Sequence, residues 1–276
     1  MTVRGPAVIV PLLRAAHPGP TSAVTTIAAL LSVAFDLPTH RAVLVTLAVL
    51  TGQLSVGWGN DLVDRHRDRA AGRTDKPLAT GELSGGFVRG ALITALAACA
   101  VLSFSVGWRS GLTHLLLAVA AAHAYNLRLK STSWSALPFA VAFGAAPAVV
   151  SLAAVPPRIA PIWMLAAAAT LGVAAHLLNA LLDVEADAAT GVHGLPHRLG
   201  VRRGRSIATL LLVAASVVVV AGPDTSRALP TTIASIALAG VGLLAVVALV
   251  GPRSVSFRAA IGIALIDVAL IAARAG

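Results

Sequence analysis

The chain has 276 residues, of which 57% are hydrophobic and only 12% charged, and its formal net charge is +10. Soluble domains carry about 25% charged residues, so this composition excludes an ordinary globular fold and points to an all-α, polytopic membrane protein. The basic excess does not mark a nucleic-acid partner, because most of it follows the ends of apolar runs, as membrane topology requires.

The first twenty residues contain Arg4 and Arg14 and lack the pattern of a cleavable signal ahead of the first apolar run. Nine apolar stretches then recur, at 21–36, 40–58, 86–107, 111–127, 134–154, 161–182, 206–221, 229–250 and 256–274. Most suffice to cross about 30 Å of hydrocarbon. They do not alternate in polarity, which excludes a transmembrane β-barrel. The expectation is one domain over residues 1–276, a helical bundle of about nine transmembrane helices in the lipid bilayer. Cys99, the only cysteine, lies in the third span and reads as a small buried apolar residue. Trp58 and Trp134 read as belt residues at the membrane interface. His114, His123 and His176 read as hydrogen-bonded packing residues, with His176 also placed to line a cavity. Asp36 closes the first span, and Asp267 is the one acid deep inside a span away from any motif; it reads as a hydrogen-bonding partner of another helix.

With nine spans, the N-terminus and loops 2–3, 4–5, 6–7 and 8–9 share one side of the membrane. They hold 16 of the 21 Lys and Arg, and the opposite side holds five. The positive-inside rule puts the N-terminus and these loops in the cytoplasm, with the plasma membrane of a prokaryote as the expected location.

Acidic residues number only 11, yet seven fall into two short segments. The first, after span two, holds Asn60, Asp61, Asp64 and Asp68; the second, after span six, holds Asn179, Asp183 and Asp187. Both read N-x-x-x-D-x-x-x-D, 119 residues apart. Residues four apart share a helix face, so each motif is expected to present an amide and two carboxylates as one stripe. Two such stripes across a cavity open to the cytoplasm suit hard divalent cations, which take oxygen ligands. Asp61 stands off the stripe, and a metal role and a capping or pairing role are both open to it. Glu185 is also off the stripe and reads as a salt-bridge residue.

Phosphate-binding side chains surround these acids. Loop 2–3 supplies Arg65, Arg67, Arg69, Arg73 and Lys76; loop 4–5 supplies Tyr125, Arg128 and Lys130; loop 6–7 supplies His193, His197, Arg198, Arg202, Arg203 and Arg205. Carboxylates that hold a metal, and cations that neutralise the remaining phosphate charge, suit a magnesium–diphosphate complex. Magnesium takes only one or two carboxylates per ion, so two stripes suit two or more ions.

The first motif, the K-P-L-x-x-G-x-x-S run from Lys76 to Ser84, Tyr125 with Lys130, and the D-x-x-x-D…G-x-x-x-L-P-x-x-L-G run from Asp183 to Gly200 resemble the UbiA superfamily of intramembrane prenyltransferases. The resemblance covers roughly residues 50–205 and keeps motif order and loop placement. It implies Mg²⁺, an isoprenyl diphosphate donor and an all-helical bundle of nine spans. Asn60, Asp64 and Asp68 match the first metal motif, and Asp183 and Asp187 the second. Three departures stand out. Lys76 replaces a common Arg, His193 and Gly194 stand where Lys and Thr are common, and Gly191 ends the second motif without a further Asp.

The function expected is Mg²⁺-dependent transfer of a prenyl group to an unidentified acceptor, an aromatic or quinone precursor or another small polar molecule. Lys130 and Tyr125 are the expected catalytic residues, Tyr125 through its ring face or by a hydrogen bond to the diphosphate. Arg67, Arg73, Lys76, Arg128, Lys130 and Arg198 are expected on the diphosphate, and Asn60, Asp61, Asp64, Asp68, Asn179, Asp183 and Asp187 on the metal. The alternatives are a cyclase of the same superfamily, which needs no acceptor, and a cation-coupled transporter. Transport sites lie near the bilayer midplane, whereas these motifs lie at a boundary.

The charge distribution makes the topology testable. In a Cys99→Ala background, Gly85→Cys is expected to resist an impermeant thiol reagent in intact cells and to react after lysis. Rapid labelling from outside would reverse the orientation.

Overall fold

The computed structural model describes residues 6–182, 184–189, 191–222 and 230–275. Among the described residues there is no strand. A short helix α1 (Pro6–Ala15) precedes α2 (Pro18–Ala34) and α3 (Thr39–Ala70). A one-turn α4 (Pro77–Thr80) and α5 (Gly85–Ser105) follow, then a broken segment made of α6 (Trp108–Thr113), a π-helical stretch (His114–Val119) and α7 (Ala120–Leu127). The chain continues through α8 (Leu137–Leu152), α9 (Ile162–Ala180), the short α10 (Val184–Ala189), α11 (Leu195–Ala221), α12 (Thr231–Val250) and α13 (Arg253–Ala275).

Among the described residues, nine apolar helical segments occupy the positions of the nine predicted spans. Six of them, α3, α5, α9, α11, α12 and α13, are long and apolar enough to cross a membrane. α2 and α8 are shorter apolar helices. Two spans extend beyond their apolar runs. α3 continues to Ala70, because its last three turns are polar but still helix-forming, and α11 begins at Leu195, with a kink at Gly200 (φ 76°) that sets its first turn apart from the spanning part. At 32 residues, α3 is about 48 Å long, more than the hydrocarbon thickness. Its first motif therefore stands where the helix leaves the apolar zone.

The helices close a ring. α2 packs on α3, α3 on α5 and α7, α7 and the π-helical stretch on α8, α8 on α9, α9 on α11, α11 on α12, and α13 returns to α2. α12 is the least embedded, with Ile236, Leu243 and Val250 turned outward as a lipid-facing row. The main core runs through Leu177, Leu178, Leu181, Leu212 and Ile263, where α9, α11 and α13 meet.

Trp58 departs from its expected place. It is buried, and its indole N–H donates to Leu12 O at 2.9 Å, so it fastens α1 to α3 rather than sitting in an interfacial belt. Arg14 of α1 also pairs with Glu82. Asp267 accepts a hydrogen bond from Ser216 of α11 at 3.1 Å, the interhelical contact its position suggested. Cys99 is buried beside Ser103.

α8 and α9 approach closely at Gly172, where a Cβ would stand 2.6 Å from both Phe139 O and Phe143 Cβ. Gly172→Ala is expected to cost about 1–3 kcal/mol through overpacking. It should lower the thermal midpoint in detergent, while Gly90→Ala, with open space at its Cβ, leaves it unchanged.

Candidate functional site

The ring encloses one large cavity of about 560 Å³, lined from α2, α3, α7, α8, α9, α10 and α13 but by no residue of α5, α11 or α12. Those three helices pack behind the helices that wall it. Asn60, Asp64, Asp68, Arg73, Lys76, Tyr125, Lys130, Asn179 and Asp187 line its polar end. Val24, Ile27, Phe139, Phe143, Leu171 and Ile261 line its apolar depth.

α3 arranges the first motif as its spacing requires. Asn60, Asp64 and Asp68 are separated by four residues each and share the cavity face, one turn above another. Asn60 donates to Asn126 Oδ1 at 3.3 Å, and Asn126 is itself held through its Nδ2 to Val56 O at 2.9 Å. Asn126 thus orients Asn60; only its place beside Tyr125 hinted at this. Asp64 is buried and accepts from Lys130 Nζ at 2.7 Å, with Arg67 paired to its other oxygen. Asp61, one residue off the stripe, does not line the cavity. It is buried behind the wall, where Lys76 Nζ at 2.7 Å and the N–H of His17 at 2.8 Å meet its Oδ1. His17 drew no attention in the sequence because its partner is 44 residues away.

The second motif does not form one helical stripe. α9 ends at Ala180 and a separate helix α10 carries Asp187. Tertiary contacts override the four-residue spacing: Leu181 is buried in the core, α10 packs on α11, and Arg253 binds both Glu185 oxygens at 2.5 and 2.6 Å. That pairing holds the Glu185 carboxyl below its ordinary range. Asn179 and Asp187 still face the cavity, with His197 3.9 Å from Asp187. Asp183 lies outside the described residues.

The basic residues divide. Lys130, Lys76 and Arg73 line the cavity. Arg73 grips Asp75 with two bonds of 2.8 Å, which draw the Asp75 carboxyl down to about 2. Arg67 is half-buried beside Asp64. Arg128 and Arg198 are exposed and do not line the cavity, and Arg198 donates to His193 O at 3.3 Å. Loop 6–7 comes close to Lys130 because position 194 is glycine; a Cβ there would stand 2.4 Å from Lys130 O. Ser135 accepts from Leu195 N–H and bonds His176, both at 3.0 Å. His176 in turn stacks on Phe139, and Tyr125 sets its ring edge-on to both.

Amide and carboxylate oxygens on two walls of one cavity are the donor set of a hard cation. Among the described residues no three His, Cys, Asp or Glu side chains converge as a ready-made cage. The oxygen donors Asn60, Asp64, Asp68, Asn179 and Asp187 fit magnesium, which keeps its waters and takes only one or two carboxylates, completing its shell with substrate phosphates.

The sequence matches the UbiA prenyltransferase family over residues 22–262. No curated protein matches it. Among solved structures, an apo UbiA homologue from Aeropyrum pernix K1 is similar at 19% identity and a TM-score of 0.75, covering 92% of this chain and 97% of that one. A UbiA homologue from Archaeoglobus fulgidus bound to DMAPP and Mg²⁺ is 19% identical with a TM-score of 0.72, over 95% and 98%. A digeranylgeranylglyceryl phosphate synthase structure is 16% identical with a TM-score of 0.67, over 97% and 98%. At these identities the likeness is one of fold.

Proposed function

The chain belongs to the UbiA prenyltransferase family, and from that premise we propose that it transfers a prenyl group from an isoprenyl diphosphate to an acceptor inside the membrane. One observation carries this reading: a single cavity has carboxylates and lysines at one end and apolar walls over the rest. An isoprenyl diphosphate has the same division. The UbiA homologue from Archaeoglobus fulgidus, solved with DMAPP and Mg²⁺ and with GPP and Mg²⁺, lends support.

On this reading, Asn60, Asp64, Asp68, Asn179, Asp183 and Asp187 would hold magnesium. Magnesium, when bound, supplies the Lewis acidity that draws charge onto the departing diphosphate. Lys130 and Arg73 neutralise the phosphate oxygens, joined by Lys76. These cations now rest on protein carboxylates, Lys130 on Asp64 and Arg73 on Asp75. Donor binding exchanges those partners for phosphate. Asp61 anchors Lys76 at the wall. Arg67 supports Asp64 from behind, and Arg128 and Arg198 contribute field at the mouth.

The bond between the allylic carbon and the diphosphate oxygen breaks, diphosphate leaves with the bonding pair, and a nucleophilic atom of the acceptor bonds to the allylic cation and gives up its proton. The Tyr125 face, held by Phe139 and His176, offers π-density to that carbon, worth about 0.5–2 kcal/mol. Phe139, Phe143 and Leu171 bury the tail, at about 0.8 kcal/mol per CH₂, and exclude water that would quench the cation. Tail burial fixes position, while the charged end stabilises what develops in the transition state. The motif side faces the cytoplasm of a prokaryotic cell, with two or more ions engaged.

With geranyl diphosphate as donor, diphosphate release is expected to require Mg²⁺ or Mn²⁺. Asp64→Ala and Asp187→Ala should each lower it by about a hundredfold or more. Full release in EDTA would remove the metal from the mechanism. Lys130→Ala is expected to weaken binding of an unreactive thiolodiphosphate donor analogue by roughly ten- to a hundredfold, the worth of a charge-assisted contact. Unchanged analogue affinity with a raised acceptor constant would move Lys130 to the acceptor.

A further inference from the structure

Away from the diphosphate end, the cavity wall has two polar side chains that the chemistry above does not use. Gln53 lies on the cavity face of α3, seven residues before Asn60 and so about 10 Å deeper along the helix. His114 opens the π-helical stretch and also lines the cavity. Gly52, the residue before Gln53, meets His114: a Cβ there would stand 3.5 Å from His114 Cε1, so glycine admits the imidazole beside α3. His114 is buried, and its Nδ1 is hydrogen-bonded to Ser103 Oγ at 2.8 Å. That bond fixes the ring, and among the described residues nothing pairs with its Nε2 or with the Gln53 amide. A π-helical turn interrupts regular helix at a cost and is frequent at functional sites.

The surroundings define the ligand chemistry. Every Arg and Lys among the cavity-lining residues, Arg14, Arg73, Lys76 and Lys130, belongs to the polar end. One turn along from Gln53 and His114 on their own segments the lining is Val49 and Ala118, and Val149 of α8 also lines the cavity. A carboxylate or phosphate placed there would lose hydration without gaining a counter-charge. An imidazole and a primary amide provide both donor and acceptor positions, which match a neutral hydroxyl or carbonyl oxygen.

We infer that Gln53 and His114 form a specificity site for the acceptor, which hydrogen-bonds a neutral hydroxyl or quinone-type carbonyl at the far end of an otherwise apolar molecule. This rests on the prenyl-transfer reading. It selects neutral acceptors over acids: the end remote from the reacting atom carries an uncharged oxygen about 10 Å from the metal stripe.

The test is direct binding, with dihydroxynaphthalene as the neutral probe and hydroxynaphthoic acid as the charged one, to purified full-length protein. Wild type is expected to bind the diol more tightly than the acid. Gln53→Leu and His114→Phe should each weaken the diol by about three- to tenfold, and His114→Gln should recover part of the loss. The Mg²⁺-dependent affinity for the thiolodiphosphate analogue should stay unchanged in all three, which also certifies their fold. No saturable diol binding, tighter binding of the acid, or diol affinity equal in wild type and both folded variants overturns the assignment. Failure of wild type to bind the donor analogue overturns the prenyl-transfer reading instead, and the diol titration still decides the site.

Discussion

A carboxylate at the edge of a hydrocarbon-lined cavity cannot stand alone, because its lost hydration must be replaced by charge and hydrogen bonds. Most of the polar architecture follows from that requirement. Asp64 draws Lys130 and Arg67 to itself, and Asp61 draws Lys76 and His17. These pairs tie α3 to the loop after α7, to the loop before α4 and to the start of α2. The neutralising contacts that stabilise the ligand-free site are also the cations a diphosphate needs, so binding proceeds by exchanging partners rather than by assembling new charge.

The apolar part of the molecule serves the same end. α5, α11 and α12 pack behind the cavity walls, leaving α2, α3, α7, α8, α9, α10 and α13 to line it. Close approach at Gly172 and Gly194 brings α8 to α9 and loop 6–7 to Lys130. A polar mouth on an apolar chamber holds a head-and-tail molecule in one orientation, and the Gln53 amide and His114 Nε2 offer a second recognition point within the chamber.

The nine spans, the all-α class and the cavity-facing stripe of Asn60, Asp64 and Asp68 were legible in the sequence, since each depends on local periodicity and on the length of apolar runs. The Asp64–Lys130 neighbourhood was foreshadowed by composition, as acids and bases crowded into the same loops. Asp61 was ambiguous for a local reason: its spacing put it off the stripe, and only its partners, Lys76 and the distant His17, show where it turns. Trp58 read as an interfacial residue because nothing nearby announced that α1 would fold back over it.

The sequence by itself determined which segments enter the membrane and which residue types gather at their ends, because hydrophobic length and helical period act within a single segment. The tertiary structure alone decided that α9 ends at Ala180, that Asp187 reaches the cavity from a separate helix, and that Arg128 and Arg198 stay outside it. Those outcomes depend on contacts such as Glu185 with Arg253, 68 residues apart. No local rule encodes a pairing at that separation, because its energy exists only once the ring of helices has closed.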